Sequence, residues 1–351
     1  MSDVFASVGV IGLGQIGGSV CKALRARGSA QLSGFDVDPG SCALAAADGV
    51  TIHTDVAALV RQSELVVLAV PLDKYQALVT PICAGAQGTR GKVLIDVGSG
   101  SRPLREAFAH PEARQHLSII GSHPMAGTER RGYAAAQADL FDGRNWAVLK
   151  DGPQPRPADA LRVIQWVLSL GARAILLEAE RHDEAVARTS HLPHMLAMAL
   201  ARTAYADPLA TLRYNFAAGS FRDGTRVADS EPALTAAMCH ENAAELAAAM
   251  DECLQLLTTA RRHLRQGGAE PLLADFQLAR DLKAQLKQAF EHIAEEALRE
   301  DDLAMFDRLL DACSHGAKIA SLTPCSDAAM PRWQARLERP HQLPEEAPTA
   351  R

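Results

Sequence analysis

The chain of 351 residues has seven cysteines, Cys21, Cys42, Cys83, Cys239, Cys253, Cys313 and Cys325, and no C-x-x-C pair among them. An odd number of scattered thiols gives no disulfide framework and suits a reducing cytoplasm, which is the expected location. No apolar run approaches the roughly 20 residues that cross a bilayer, so no membrane association is expected. The opening Met1-Ser2-Asp3-Val4-Phe5 lacks the basic region and apolar core of a signal peptide. A basic excess is also missing. The net charge is −6, which argues against nucleic acid as a partner. The one basic run, Arg261-Arg262-His263-Leu264-Arg265, reads as a helix C-terminus, where cations are favoured.

What the sequence does have is a glycine turn near its start. Val8-Gly9-Val10-Ile11 is an apolar strand, and Gly12, Gly14 and Gly17 follow in G-x-G-x-x-G spacing before a helical stretch. The first glycine permits the tight turn, the second lets backbone approach a pyrophosphate, and the third lets helix and strand pack closely. The helix N-terminus then offers free N–H groups to the phosphates. Gly12, Leu13, Gly14, Gln15, Ile16 and Gly17 are therefore the expected cofactor-binding turn. A second apolar stretch, Gln31–Phe35, ends in Asp36, nineteen residues after Gly17. An acid there accepts hydrogen bonds from the ribose hydroxyls and repels a 2′-phosphate, which favours NAD over NADP.

With 48% apolar residues the chain can bury large cores, and its length suggests two domains. Strand candidates are Val8–Leu13, Gln31–Asp36, Leu65–Val70, Val93–Val97, Ser118–Ile120, Trp146–Leu149 and Ala174–Leu177. Helical stretches alternate with them. That pattern predicts an α/β fold with a Rossmann-type doubly wound parallel sheet. Ligands then sit beyond the carboxyl ends of the strands. Three such ends matter: Val70-Pro71, expected to line the cofactor site, Val97-Gly98-Ser99, and Gly121-Ser122-His123. Asp151–Pro157 is a Pro/Gly-rich loop inside this domain, and the expected boundary lies near Ala179. From there the pattern is helical: Glu180–Arg202, Glu241–Gln266, Pro271–Leu298 and Asp301–Ala317. On the second of these Leu246, Met250, Cys253 and Leu257 share a face, suited to a core or a dimer interface. The expected division is 1–179 nucleotide-binding, 180–320 all-α, and 321–351 a poorly ordered tail. No internal repeat and no clear βαββαβ module stands at the end.

His123, in Gly121-Ser122-His123-Pro124-Met125-Ala126-Gly127-Thr128-Glu129, can reach a substrate hydroxyl beside the nicotinamide, and its ordinary pKa of about 6.5 suits a proton acceptor. Ser99 can bond the same hydroxyl, orient His123, or merely cap a helix. His191 and His194 lie three apart on a helix. No cysteine or carboxylate completes a ligand set with them, so no metal is expected and a place in the substrate pocket is favoured. Gly219-Ser220-Phe221-Arg222-Asp223-Gly224-Thr225-Arg226 reads as a glycine-bounded loop whose arginines can clamp a carboxylate. No lysine occurs between Lys150 and Lys283. That speaks against the β-hydroxyacid dehydrogenases, which place a catalytic lysine in their helical domain, and for histidine chemistry.

In combination and order, the glycine turn, Asp96-Val97-Gly98-Ser99, His123–Glu129, Ser190-His191-Leu192-Pro193-His194 and Gly219–Arg226 resemble the prephenate/arogenate dehydrogenase family of tyrosine biosynthesis, over roughly Val8 to Arg280. The resemblance implies a dinucleotide-binding domain, a helical dimerisation domain, a homodimer, and NAD-dependent oxidative decarboxylation of prephenate to 4-hydroxyphenylpyruvate. It implies His123 as the catalytic histidine and Ser99 as the serine on the ring hydroxyl. Arg226 then binds a substrate carboxylate, His191 and His194 line the pocket, and Gly219 and Asp223 lie near it. Where the family commonly continues Gly-Ser with Val-Lys, this chain has Gly100-Ser101-Arg102, so Ser101 is a second candidate for Ser99's role. Arogenate and 4-amino-4-deoxyprephenate are rival substrates, and a non-catalytic NAD-binding regulator is the rival of another class.

Overall fold

The computed structural model describes residues 4–28, 31–89, 91–127, 130–151, 155–291, 293–325 and 332–341. Thr128 and Glu129 of the His123 motif, part of the Asp151–Pro157 loop, and the last ten residues lie outside that set. The chain forms two compact units, 1–246 and 247–351.

The first unit opens with β1 (Ser7–Ile11), α1 (Gln15–Ala26), β2 (Gln31–Phe35), α2 (Pro39–Ala47), β3 (Thr51–Ile52), α3 (Val56–Gln62), β4 (Leu65–Leu68), α4 (Tyr75–Ala86), β5 (Lys92–Asp96), α5 (Arg102–Ala107), α6 (Pro111–His116) and β6 (Leu117–Ile120). The six strands form a parallel sheet in the order β3-β2-β1-β4-β5-β6. This is the doubly wound arrangement, with its switch point between β1 and β4. β4 is fully buried and consists of Leu65, Val66, Val67 and Leu68, the composition of a strand covered on both faces. Asp38 and Asp55 cap α2 and α3 by accepting hydrogen bonds from two backbone amides each.

One expectation needs correcting here. The strands after β6 do not extend the parallel sheet. β7 (Ser122–Pro124) lies antiparallel to β8 (Asn145–Lys150), and after α7 (Pro157–Ser169), β9 (Arg173–Glu178) runs parallel to β8. The chain leaves β6 at Gly121, whose carbonyl accepts from the Leu149 amide, so it turns into a second pairing. Ser122–Pro124 is too short to register as a strand from its residues alone.

Helices complete the unit: α8 (Ala179–Val186), α9 (Leu192–Tyr205), α10 (Ala210–Tyr214), α11 (Gly219–Thr225), α12 (Pro232–Glu241) and the start of α13 (Ala243–Gln266). α8 and α9 are joined through a π-helical turn at Ala187–His191. Pro193, in the first turn of α9, has no amide to offer the Thr189 carbonyl, and its ring crowds that carbonyl. A wider turn at that point accommodates it. Gly219–Thr225, read from the sequence as a loop, is helical and continues into a 3₁₀ turn at Arg226–Asp229. Phe221 packs edge-on against Tyr205 with ring centroids 5.4 Å apart, a contact that the glycines flanking the segment conceal.

The second unit holds most of α13, α14 (Glu270–Glu291), β10 (Ile293–Asp301), α15 (Asp302–Ser314), β11 (Lys318–Pro324) and β12 (Arg332–Pro340). β12 pairs antiparallel with both β10 and β11. This β-α-β-β arrangement corrects the expectation of helix through Leu298, and within the expected tail residues 321–324 and 332–340 are strand. Trp333, Ala335 and Leu337 are buried while Gln334 and Arg336 between them are exposed, the period-two alternation of a half-covered strand. Met305, Phe306 and Leu309 of α15 are buried too, and Trp333 Nε1 donates to Asp302 Oδ1 at 2.7 Å. On α13, Leu246 is buried but Leu257 is 55% exposed, so the shared face read from the sequence is covered only at its N-terminal end.

Candidate active site

The glycine turn has the geometry its spacing predicts. Gly12 has φ of +98°, a region L side chains avoid, and a Cβ there would lie 2.3 Å from the Ala69 carbonyl oxygen. A Cβ on Gly17 would lie 2.0 Å from the Gly12 carbonyl oxygen, so α1 touches the turn through its bare backbone. Gly14 differs: nothing lies within 4 Å of the place its Cβ would take. It stands at the N-cap of α1, beside amides with no helical partner. Two of these glycines thus serve packing, and the third faces open space at a helix N-terminus, where phosphate binding is favoured.

Asp36 follows β2. Its Oδ2 accepts from the Leu13 amide at 2.6 Å, and its Oδ1 accepts from the Asp38 amide at 2.8 Å. The carboxylate is therefore fixed against the glycine turn. Val70 and Pro71 follow β4, and the Val70 side chain borders Gly12. The loop beyond His123 returns to this turn. The Cβ position of Gly127 is 3.5 Å from Ile16 Cδ1 and 3.8 Å from Gln15 Oε1. The nucleotide turn and the His123 segment are neighbours.

His123 is aimed by its strand. Ser122 and Pro124 are buried on one side of β7, and His123 faces the other. Ser122 is tied down three times. Its amide donates to Asp96 Oδ1 at 2.9 Å, its hydroxyl donates to the Asp96 carbonyl at 2.5 Å, and it accepts from Trp146 Nε1 at 3.1 Å. Asp96 is buried at the end of β5, and its Oδ2 also accepts from Tyr75 Oη and from the Gly98 amide. Burial pushes its carboxyl up to about 7, against the hydrogen bonds it receives. One side chain thus joins the strand end that carries Ser99 to the strand end that carries His123. Sequence reasoning quoted Asp96 only as part of a motif.

Three further residues were missed: His182, Asp183 and Asn242. His123 Nδ1 lies 3.0 Å from His182 Nε2, and His182 Nδ1 lies 2.9 Å from Asp183 Oδ1. Asp183 Oδ2 accepts from Ser101 Oγ at 2.6 Å, and its Oδ1 accepts from the Ser101 amide at 3.1 Å. Ser101 is therefore committed to Asp183. Ser99 is half-buried, and among the described residues its hydroxyl makes no hydrogen bond. Asn242 Nδ2 donates to the Asp183 carbonyl at 2.7 Å and to His191 Nδ1 at 3.2 Å. Nothing in the local spacing announces an Asn 59 residues from the Asp it supports. The adjacent pair His182-Asp183 on a predicted helix was the available signal.

Burial, reinforced by neighbouring His182 and His191, pushes His123 down to about 3, and burial pushes His191 down to about 4. His194 is also lowered by burial, although its ring bonds the Val227 backbone. The imidazoles are thus neutral and available as acceptors at neutral pH. His191 Nε2 and His194 Nδ1 are buried with no hydrogen-bond partner among the described residues. Such groups are costly to leave unmet. Arg226 is exposed and close enough to His194 to depress it electrostatically. Arg222 donates to the Ala217 carbonyl instead. Gly219 and Asp223 are exposed on α11. Among the described residues no group of three His, Cys, Asp or Glu could hold a metal ion.

A glycine turn that fits a dinucleotide, beside a neutral histidine at adjacent strand ends, defines a Rossmann-type dehydrogenase. The comparisons narrow this. Family models described as "Prephenate dehydrogenase, nucleotide-binding domain" and "Prephenate dehydrogenase, dimerization domain" match residues 20–176 and 178–278. The chain belongs to the prephenate dehydrogenase family. The cyclohexadienyl dehydrogenase of Zymomonas mobilis is 34% identical over 292 residues, covering 81% of this chain and 97% of that one. Among solved structures, Synechocystis arogenate dehydrogenase is 28% identical with a TM-score of 0.65, covering 79% of this chain and 99% of its own. The prephenate dehydrogenase of A. aeolicus, in complex with hydroxyphenyl propionate and NAD+, has a TM-score of 0.72 at 22% identity, covering 82% and 98%, a likeness of fold.

Proposed function

We propose that this chain, as a cytoplasmic homodimer, oxidises prephenate with NAD+ to 4-hydroxyphenylpyruvate and CO2. The observation that carries the reading is the position of His123: neutral, on a strand end whose following loop meets the nucleotide-binding turn at Ile16 and Gln15. The Gly12–Gly17 turn, Asp36, Val70 and Pro71 hold the dinucleotide, which when bound supplies a hydride acceptor. Asp36 favours NAD over NADP.

His123 accepts the ring hydroxyl's proton while the carbon bearing it loses hydride. Ser99, with its hydroxyl uncommitted, bonds the same oxygen. Arg226 takes a substrate carboxylate, and the unmet nitrogens of His191 and His194 line the pocket, with Gly219 and Asp223 at its edge. Holding the dianion in register is the main contribution of these groups. Exposed Leu196, Met198, Leu209 and Phe216 on and near α9 and α10 supply apolar surface for the second protomer.

The Zymomonas relative's name favours a second reading, in which arogenate is also a substrate. NADH formation by the purified protein, with prephenate and arogenate in parallel and NADP+ as the alternative acceptor, tests both. Turnover of prephenate with NAD+ is expected. Turnover of arogenate alone moves the assignment to that substrate. Inactivity with both, while NAD+ still binds, would overturn the catalytic reading.

A further inference from the structure

His123 has only one nitrogen to offer substrate, because the other faces His182. Which nitrogen carries a proton follows from the chain of partners behind it. Asp183 receives hydrogen bonds from Ser101 at both oxygens, and an ionised carboxylate only accepts. The two Ser101 bonds and His182 hold its pKa below the usual carboxylate range, against burial. His182 Nδ1, 2.9 Å from Asp183 Oδ1, must therefore carry a proton. The tautomer of His182 with its one proton on Nδ1 has a bare Nε2, which accepts from His123 Nδ1 at 3.0 Å. That leaves His123 Nε2 bare. The two rings meet edge to face at 80° with centroids 5.2 Å apart, and His182 is 2% exposed.

We infer that His182 and Asp183 are positioning residues for His123: they fix Nε2 as its proton-accepting atom and draw the resulting positive charge toward the Asp183 carboxylate. The inference rests on the reading of His123 as the proton acceptor. In the step, the substrate O–H bond breaks and His123 Nε2–H forms. The hydroxyl's electron pair becomes the carbonyl, hydride leaves for NAD+, and the C–C bond to the carboxylate breaks to release CO2 and aromatise the ring. His123 has then gained one proton. Its Nδ1–H stays on His123 and strengthens its bond to His182 Nε2, while His182 keeps its own Nδ1–H, donated to Asp183 Oδ1. The extra proton returns to solvent from His123 Nε2 after product leaves. The other titratable group electrostatically coupled to His182 is His191. Its Nδ1 accepts from Asn242, so it does not compete for the His182 ring nitrogens.

The arrangement repeats the logic of a carboxylate that orients a histidine in hydrolases, with one more imidazole between carboxylate and base. A base depressed by burial is a weak acceptor alone. A carboxylate reached through a second ring restores part of its basicity without exposing it to water.

The test begins with the unmodified full chain, labelled with ¹⁵N-histidine. Long-range ¹H–¹⁵N correlation at neutral pH, with His123 assigned by its loss in His123→Asn, is expected to show His123 and His182 both protonated at Nδ1 and bare at Nε2. A His123 protonated at Nε2 would overturn the inference, and this measurement needs no substrate. Kinetics then follow. Asp183→Ala is expected to lower kcat by about 10²-fold or more, as wrong-tautomer variants of such chains do, with KM within threefold. Asp183→Glu, which restores an acceptor, is expected to recover part of the loss. A KM effect without a kcat effect, or no recovery by glutamate, would assign Asp183 a merely structural role. Inactivity of the wild type toward every substrate would refute the proposed function and leave the tautomer result standing.

Discussion

The glycine turn gives the sharpest test, because two glycines three residues apart are held for different reasons. At Gly17 an added Cβ would sit 2.0 Å from the Gly12 carbonyl oxygen and 3.0 Å from both Ala69 Cβ and Val10 Cγ1. The Gly12 oxygen cannot move aside. Its residue is at positive φ, and its amide is bonded to the Phe35 carbonyl at 2.8 Å. In Gly17→Ala, α1 must lift from β1 by more than an ångström, at a cost near the upper end of overpacking, about 3 kcal/mol. Alanine's helix propensity returns about 1 kcal/mol. The expected net loss is about 2 kcal/mol in urea unfolding. Gly14→Ala meets nothing within 4 Å, so stability should change by less than about 0.5 kcal/mol. Its methyl instead enters the space before the α1 N-terminus, and NAD+ should bind at least tenfold more weakly, about 1.4 kcal/mol. Calorimetric titration with NAD+ beside urea curves separates the two. Normal NAD+ binding by Gly14→Ala, or a Gly17→Ala protein as stable as wild type, would refute the reasoning.

His123→Asn is expected to lower kcat by about 10²–10⁴-fold, the range for loss of a general base, while NAD+ affinity by titration is retained. Arg226→Ala should raise KM for prephenate with little change in kcat, whereas Arg222→Ala, whose guanidinium already serves the Ala217 carbonyl, should leave steady-state kinetics near normal. Asp96 gives a pH signature. Burial raises its carboxyl to about 7 in the fold, above the unfolded carboxylate value, so the fold holds that proton more tightly. The stability this adds is fully present in acid and lost as pH rises toward 7. Wild type should therefore gain on Asp96→Asn between pH 8 and pH 5 in urea midpoints; parallel pH dependences would show that Asp96 is already ionised throughout.

The nucleotide half of the site was legible because its constraints are local. A glycine that needs positive φ, a glycine whose Cβ has no room, and an acid at the end of the next strand are each set within some 25 residues, and sequence spacing reports them. The parallel sheet was legible because buried strands such as Val93–Asp96 are continuous apolar runs. β7 was not, since a three-residue strand pinned by a buried carboxylate from β5 carries no periodicity. The departure at Gly100-Ser101-Arg102 left two serines for one role. The structure separates them by partner: Ser101 is spent on Asp183, and Ser99 is not.

The support behind His123 was illegible for a related reason. His182 and Asp183 sit on α8, His182 being 59 residues from His123, and on a helix a His-Asp pair normally reads as solvated surface. What makes it otherwise is the burial of α8's first turn, with Ala179 and His182 both buried, and that burial depends on β8 and β9, which sequence alone assigned to the wrong sheet. The same dependence explains the second unit. Lys318–Pro324 breaks its alternation at a register shift between Ile319 and Ser321, charges dominate Arg332–Pro340, and the buried row Trp333, Ala335, Leu337 acquires meaning only once α15 covers it. Local chemistry can be read from a sequence when the residues that impose it are near in the chain. A tautomer set by a carboxylate two rings away is imposed by the fold, so a substitution at Asp183 should be felt at His123 although no spacing rule connects them.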